Sequence, residues 1–546
     1  MCQSMEMEEQ EKTGKSNLSY RVHTVLADIL EILVSLYMVL LIAVMPFYFT
    51  DGYRRIGTNK YEFFEYVTRT AAAALLPVLL LYLLVSLYLY RTEKKGWKEL
   101  LHRISLTDLF AAFYGITVIL SYLGSDFKEA GSYGSALKGA AGWYMGLTSQ
   151  LAFVGIYFAI SRLWKCRKWI PTLFMPVTTV VFALGFLNRF DYFPFPMENA
   201  NIEFISTIGN MNWYCCYAVM IFFAILYFDL TGIKSSRMRK LSALWIILGF
   251  ATLLTQGSLS GLVTVVAMMG ILYLLSMKQG DRLERVADYC VFLGIAAVLT
   301  YLLRASFPGR FNYPDTFTDL LTFSPFAAVL LMAAVWIRTV IKKLREEERL
   351  PIRFFTLLGY GACIFAGAAG ILFVLLVVIN TLYPGRFGPL SQLSALQFNL
   401  YWGSNRGATW TAGIRCFQRQ ALWGKLFGVG PDSMVLYIQS GADKELLAMI
   451  REVFINRCLT NTHNEWLTVL VNEGLLGMIA YVGMIVSAIV RYIKGGRASS
   501  WAGACGFGIL AYTINNMFSF QQAMATGTMF VLLGMGEAFI RKKYKK

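Results

Sequence analysis

The chain has 546 residues, of which 57% are hydrophobic and only 15% charged, and its formal net charge is +17. Apolar runs of about 20 residues recur from end to end, which excludes an ordinary soluble protein and reads as an all-α polytopic integral membrane protein. The excess of Lys and Arg is not a nucleic-acid footprint, because the basic residues sit in clusters between apolar runs rather than on one stripe of a polar domain.

At the start of the chain, Met1 to Ser19 is polar and Glu-rich. The apolar segment after it is too long for the core of a signal peptide, so no cleavable leader is expected. Fourteen membrane segments are predicted, near 23–49, 66–90, 105–124, 143–161, 169–187, 211–230, 241–257, 259–277, 286–303, 324–341, 354–382, 463–490, 500–518 and 524–540. The apolar run 241–277 is broken at Thr255-Gln256-Gly257-Ser258 and reads either as a tight hairpin or as one broken helix, so the count is about 12–14. With the N-terminus inside, the inside segments hold 32 Lys and Arg, and the outside loops together with Arg69 at the outer end of its segment hold 17, eight of them in the loop 383–462. This bias predicts a cytoplasmic N-terminal tail over 1–22, helices across 23–382, an extracytoplasmic loop domain over 383–462, helices across 463–540 and a cytoplasmic basic tail over 541–546. The linkers Arg91-Thr92-Glu93-Lys94-Lys95, Arg162 to Lys168 and Arg541 to Lys546 read as membrane anchors, and no internal repeat is evident.

The nine cysteines show no metal-ligand spacing. Neither does the outer face offer a cluster of His, Asp and Glu, so no metal or other cofactor is expected. Cys416 and Cys458 share the large loop, where a disulfide between them is one option.

Loop 383–462 is too short for an independent enzyme domain with a deep core, so it must work with the helices beside it. Within it, Gly403-Ser404-Asn405-Arg406-Gly407-Ala408-Thr409-Trp410 leads into a helical pattern through Phe417, in which Arg406 and Trp410 share a face. The small neighbours of Arg406 leave its guanidinium approachable for bidentate contact with phosphate oxygens. After the glycine-rich turn Phe427-Gly428-Val429-Gly430-Pro431-Asp432 comes Asn461-Thr462-His463-Asn464-Glu465-Trp466, which holds one of only three histidines. A neutral imidazole at His463 is suited to accept a proton near neutral pH.

Taken together, these residues resemble the O-antigen ligase and O-antigen polymerase family of polytopic membrane glycosyltransferases. The resemblance rests on Trp402-Gly403-Ser404-Asn405-Arg406-Gly407 with Trp410, on Gly428-Val429-Gly430-Pro431-Asp432, and on His463-Asn464-Glu465 with Leu467, Leu470, Glu473, Gly474, Leu475, Leu476 and Gly477. Upstream, Gly209-Asn210-Met211-Asn212-Trp213-Tyr214 looks like the family's Gly-Asn-x-Asn element opening a membrane helix. The resemblance spans roughly 205–495. It implies transfer of a glycan from an undecaprenyl-diphosphate carrier to an acceptor hydroxyl of a glycan, lipid or protein, at the outer face of the cytoplasmic membrane and without a metal.

On that resemblance His463 is the general base and Arg406 holds the diphosphate leaving group. Many relatives carry an Arg on the middle pair of helices where this chain reads Gly257-Ser258-Leu259-Ser260-Gly261; Arg415, Arg419 and Arg189 are the candidate replacements. Glu465 and Glu473 either orient His463 or the acceptor, or serve as caps and helix-surface residues. Asp432 is a turn residue or a sugar ligand, Asn210 and Asn212 are helix caps or ligand contacts, and Asn464 lies beside the histidine. Trp402, Trp410 and Trp466 are candidates to stack on sugar faces or to flank the polyprenyl chain.

The motifs do not separate a ligase from a polymerase. A flippase for lipid-linked oligosaccharide is a reading of a different class, and it calls for charged residues lining a cavity through the helices. The central thirds of the predicted segments are nearly free of them. The blandest reading is a membrane scaffold whose loop 383–462 binds a partner.

Overall fold

The computed structural model describes residues 2–92, 104–312, 316–455 and 457–544, and among them it is almost wholly helical. Eleven apolar helices precede the large loop: α1 (Cys2–Val39), α2 (Ile56–Thr92), α3 (Leu106–Gly124), α4 (Leu147–Leu163), α5 (Phe174–Arg189), α6 (Met211–Gly232), α7 (Ser236–Thr255), α8 (Leu259–Ser276), α9 (Gly280–Ser306), α10 (Ser324–Glu346) and α11 (Ile352–Leu382). The loop itself carries α12 (Trp402–Arg419), α13 (Leu422–Phe427), α14 (Met434–Gln439) and α15 (Lys444–Phe454). Then come α16 (Glu465–Gly495), α17 (Ser500–Asn515) and α18 (Ala523–Tyr544).

All fourteen predicted segments are helical, and twelve of the described helices are long and apolar enough to cross a membrane. The two that fall short are α4, with 17 residues, and α17, with 16, whereas the span that ends in α5 begins earlier, at Trp169, and has 21 residues. The stretch predicted as a polar tail is continuous with α1, because its Glu, Gln and Lys residues are good helix formers. The run 241–277 is two helices: Gly257 takes φ of +91°, and the Ser258 N–H donates to Gln256 Oε1 at 2.6 Å in the turn between them. Of the predicted basic anchors, Lys94, Lys95, Lys545 and Lys546 lie outside the described residues.

Segments that the Lys and Arg bias assigns to one side meet in one cluster. Asp108, at the start of α3, accepts from Arg162 at 2.9 Å, Arg541 at 2.6 Å and the Tyr157 hydroxyl at 2.7 Å. Glu537 pairs with Arg491 at 3.0 Å and with Arg541 at 2.9 Å. A carboxylate this buried is tolerated only because cations and hydroxyls satisfy it. Asp108→Ala is therefore expected to destabilise the protein by about 3 kcal/mol, since it removes the carboxylate partner of Arg162 and leaves Arg541 with Glu537 alone in a poorly solvated site. The check is thermal unfolding in detergent, and an unchanged midpoint would refute the assignment.

From this cluster α18 climbs roughly 33 Å, at about 1.5 Å per residue, to the opposite end of the bundle. There two short hairpins join consecutive helices. In the first, β1 (Gly134–Ser135) pairs with β2 (Gly139–Ala140); in the second, β3 (Phe204–Ile205) pairs with β4 (Gly209–Asn210) in the same antiparallel register. Each continues into Gly-x-x-x-Trp-Tyr, as Gly139 to Tyr144 and Gly209 to Tyr214, and both glycines have positive φ. Trp143 and Trp213 meet edge to face with ring centroids 5.5 Å apart. This local repeat is a correction to the sequence reading, which had found none; the matched residues are few and the flanking helices are simply apolar.

The loop domain sits where α16 breaks. Gly474 has φ of +72°, a conformation that costs other residues but not glycine, and it kinks the helix. The kink frees upstream carbonyls for other donors. The Val429 N–H donates to Val471 O at 3.2 Å and the Gly430 N–H to Asn472 O at 3.1 Å. Ser121 Oγ adds a bond to Asn472 O at 2.7 Å. A Cβ at Gly428 would lie 2.0 Å from Asn472 O, so the glycine-rich turn lies backbone to backbone against the broken helix. Cys416 is buried and Cys458 exposed, and both are free thiols rather than a disulfide pair.

Candidate active site around His463 and Arg406

The backbone at His463 is held in the left-handed region, with φ of +49°, by the Asn461 side chain, whose Oδ1 accepts the His463 N–H at 3.0 Å. Asn464 caps α16, accepting the Leu467 N–H at 3.0 Å. Thr409 on α12 donates its hydroxyl to Thr462 O at 2.8 Å, and a Cβ at Gly413 would lie 2.6 Å from Thr462 Cγ2. Helix α12 is thus clamped to the histidine segment. Gly403, Ser404 and Asn405 all have positive φ, so the chain coils tightly before α12 turns regular and presents Arg406.

Arg406 and His463 meet across the loop between α17 and α18. Arg406 donates from Nη1 to Gly403 O at 2.9 Å and from Nη2 to Phe518 O at 3.1 Å. Two residues further along that loop, the Phe520 ring stands edge-on to the His463 imidazole at 5.0 Å. Phe520 also packs on Trp143, so an aromatic wall runs from the first hairpin to the histidine. This loop is a site element that the sequence reading missed, since its residues carry no charge and its placement depends on tertiary packing.

Burial and then the Arg406 charge push the His463 imidazole down to about 4, leaving it neutral across the physiological range. Burial likewise lowers Arg406 from its ordinary value. Among the described residues Arg406 has no carboxylate partner, and its Nε is buried without a hydrogen bond. Trp410 Nε1 and Ser519 Oγ are also buried and unpaired. A half-buried cation beside unpaired donors is chemically able to hold an oxyanion.

The other expected residues take up distinct positions. Glu465 is fully buried and accepts from the Tyr481 and Tyr512 hydroxyls, the latter at 2.8 Å, and from the Asn516 amide, so it braces α16 against α17. Arg415 is engaged by Asp443 at 2.9 Å and Glu445 at 2.6 Å, and Arg419 lies 3.7 Å from Asp443. Arg189 does reach the Gln256 turn, but there it lies 1% exposed, with Nη2 on Gln256 O at 2.6 Å and Nη1 on Ile202 O at 2.9 Å. Asn210 caps α6 by accepting the Asn212 N–H, and Asn212 Oδ1 accepts the Ser258 hydroxyl at 3.0 Å.

Asp432 is buried and accepts the Ala140 N–H at 2.7 Å and the Met145 N–H at 2.9 Å, tying the loop domain to the first hairpin. Burial raises its carboxyl to about 7 against the pull of those two N–H groups. Trp402 and Trp410 pack at 5.5 Å beside Arg406, while Trp466 packs inward on Tyr481 at 6.0 Å. Of the residues expected at the site, then, His463, Arg406 and Trp410 come together, and Asn464 and Glu465 support the histidine segment from below.

No family model matches the chain, and no curated protein is significantly similar to it.

Proposed function

We propose that this protein is a membrane glycosyltransferase that moves a glycan from an undecaprenyl-diphosphate carrier to an acceptor hydroxyl at the outer face of the cytoplasmic membrane. The observation that carries this reading is the pairing of a neutral, buried imidazole with a guanidinium that lacks a carboxylate partner, both held by the loop 518–520. The Lys and Arg bias supports an outward-facing site with both termini inside.

In the reaction, Arg406 holds the diphosphate while His463 accepts the proton of the acceptor hydroxyl. The acceptor oxygen forms a bond to the anomeric carbon as the bond from that carbon to the phosphate oxygen breaks, and undecaprenyl diphosphate leaves with the electron pair. A single displacement inverts the anomeric centre. Stabilising charge on the leaving diphosphate is the work of a preorganised cation, and burial makes the guanidinium more effective than it would be in water.

The test is purified protein in liposomes with the source organism's undecaprenyl-diphosphate-linked oligosaccharide and its native acceptor fractions. Release of undecaprenyl diphosphate with an inverted product is expected, and the glycan's size then separates ligase from polymerase. No release with every acceptor fraction supplied, or a product that retains configuration, would overturn the class or the single displacement respectively.

A further inference from the structure

Behind the aromatic wall, between the first hairpin, α16 and the loop before α18, lies a small polar cavity of about 20 Å³, room for one water-sized occupant. Its lining carries three carboxylates, Asp432, Glu465 and Glu473, and no Lys, Arg or His. All three residues are buried. Negative charge in a poorly solvated site has to be hydrogen-bonded, neutralised by a proton or paired with a cation.

Hydrogen bonds account fully for Glu465, which takes the Tyr481 and Tyr512 hydroxyls, the Asn516 amide and the Gln521 side chain. Gln521 is engaged in turn, with Tyr114 and with Gln150 Nε2, whose bond it accepts at 2.7 Å. Asp432 is only half accounted for: both hairpin N–H groups go to Oδ2, and Oδ1 accepts no hydrogen bond among the described residues. Glu473, 2% exposed, has its Oε2 buried without any partner.

A separate feature of the backbone adds negative potential at the same place. Gly474 breaks α16, so the half-helix 465–473 ends at this cavity, where Asn472 and Glu473 line it. The C-terminal end of a helix is its partly negative end, and the ends of interrupted membrane helices are suited to coordinating Na+ through oxygens. The remaining polar lining is rich in neutral oxygens, from Asn461, Thr468 and Asn472. Among the described residues no three His, Cys, Asp or Glu gather as a multivalent or thiophilic metal would need. Two incompletely satisfied carboxylates among neutral oxygens, around space for one small sphere, fit a hard monovalent ion instead.

We infer that this cavity binds one Na+ between Glu473 Oε2 and Asp432 Oδ1, at the end of the half-helix 465–473. The ion fastens three pieces together: α16 through Glu473, the glycine-rich turn through Asp432, and the first hairpin through the two N–H groups that Asp432 holds. It takes no part in glycan transfer, and the inference stands apart from the transferase reading.

The test is made on the purified protein in detergent, without turnover. Replacing choline by Na+ at constant ionic strength is expected to raise the wild-type unfolding midpoint by about 3 °C, and radioactive Na+ should bind saturably at about one ion per chain. Glu473→Gln and Asp432→Asn are each expected to lose both the Na+ increment and the saturable binding. In choline, Glu473→Gln should be at least as stable as wild type, because it removes a buried charge that then has no partner. A wild-type midpoint that ignores Na+, with no saturable binding, would mean that Glu473 carries a proton beside a trapped water, and it overturns the ion site. An increment that persists undiminished in whichever variant is recovered folded places the ion elsewhere and overturns it equally.

Discussion

His463→Ala is expected to lower glycan transfer about 10³-fold or more while leaving protein level in the membrane and the unfolding midpoint unchanged. The ring makes an edge contact with Phe520, and neither ring nitrogen has a hydrogen-bond partner among the described residues. The fold therefore loses little when the imidazole is removed; the local conformation is held by the backbone N–H bond to Asn461. On the proposed function, a side chain without structural bonds, neutral beside a cation, serves proton transfer rather than packing. His463→Gln, which keeps size and hydrogen bonding but has no basic nitrogen, should be as inactive as the alanine variant. Measuring undecaprenyl diphosphate release by both variants against wild type checks this, and activity within a factor of a few of wild type in His463→Gln would remove the histidine from the chemistry.

What could be read from the chain beforehand follows the range of the forces involved. Helices α1 to α11 and α16 to α18 are written locally, as apolar runs bounded by charge, and the clusters around Asp108 and Glu537 draw on the same charges that mark the basic linkers. The His463 and Arg406 segments stood out because polar, unusual residues border apolar helices. Contacts between distant segments were not legible. Nothing in the run from Leu467 to Gly477 announces that Gly474 breaks the helix, because a glycine in an apolar helix is as often tolerated as used. The break is what gives Gly428 to Gly430 their docking place, so the turn Gly-Val-Gly-Pro-Asp acts by backbone bonds and by Asp432's grip on the first hairpin.

Arg415 illustrates the same limit. Its partner Asp443 lies 28 residues along the chain, and only the fold brings them to 2.9 Å. The loop 516–522 is the larger omission: it carries Phe518 and Phe520, which join the two central residues of the site, and it reads in sequence as the end of the apolar segment 500–518 and a short polar connection to the next.

Replacing Arg406 should reveal how closely those two residues are coupled. Arg406→Gln is expected to cost roughly 10²- to 10³-fold in kcat, the loss typical of removing one preorganised donor from a developing anion. Arg406→Lys should restore only part of it, because an ammonium cannot reproduce a fork of parallel N–H groups on a diphosphate. The pH dependence provides a separate readout. Burial first, and the Arg406 charge second, hold the His463 imidazole at about 4, since a positive neighbour disfavours imidazolium. The base form is present above that value and is lost as pH falls through it, so wild-type kcat/KM should keep its acid limb near pH 4. In Arg406→Gln the repulsion disappears while burial, the larger cause, remains, so the imidazole rises only part of the way toward its ordinary value and the acid limb of the residual activity should move up with it. Binding of the anionic donor to wild type should act in the same direction, by offsetting the guanidinium, which makes the base stronger once the diphosphate is seated. An acid limb that stays in place in Arg406→Gln, at any level of activity, would mean that the guanidinium and the imidazole do not share a site.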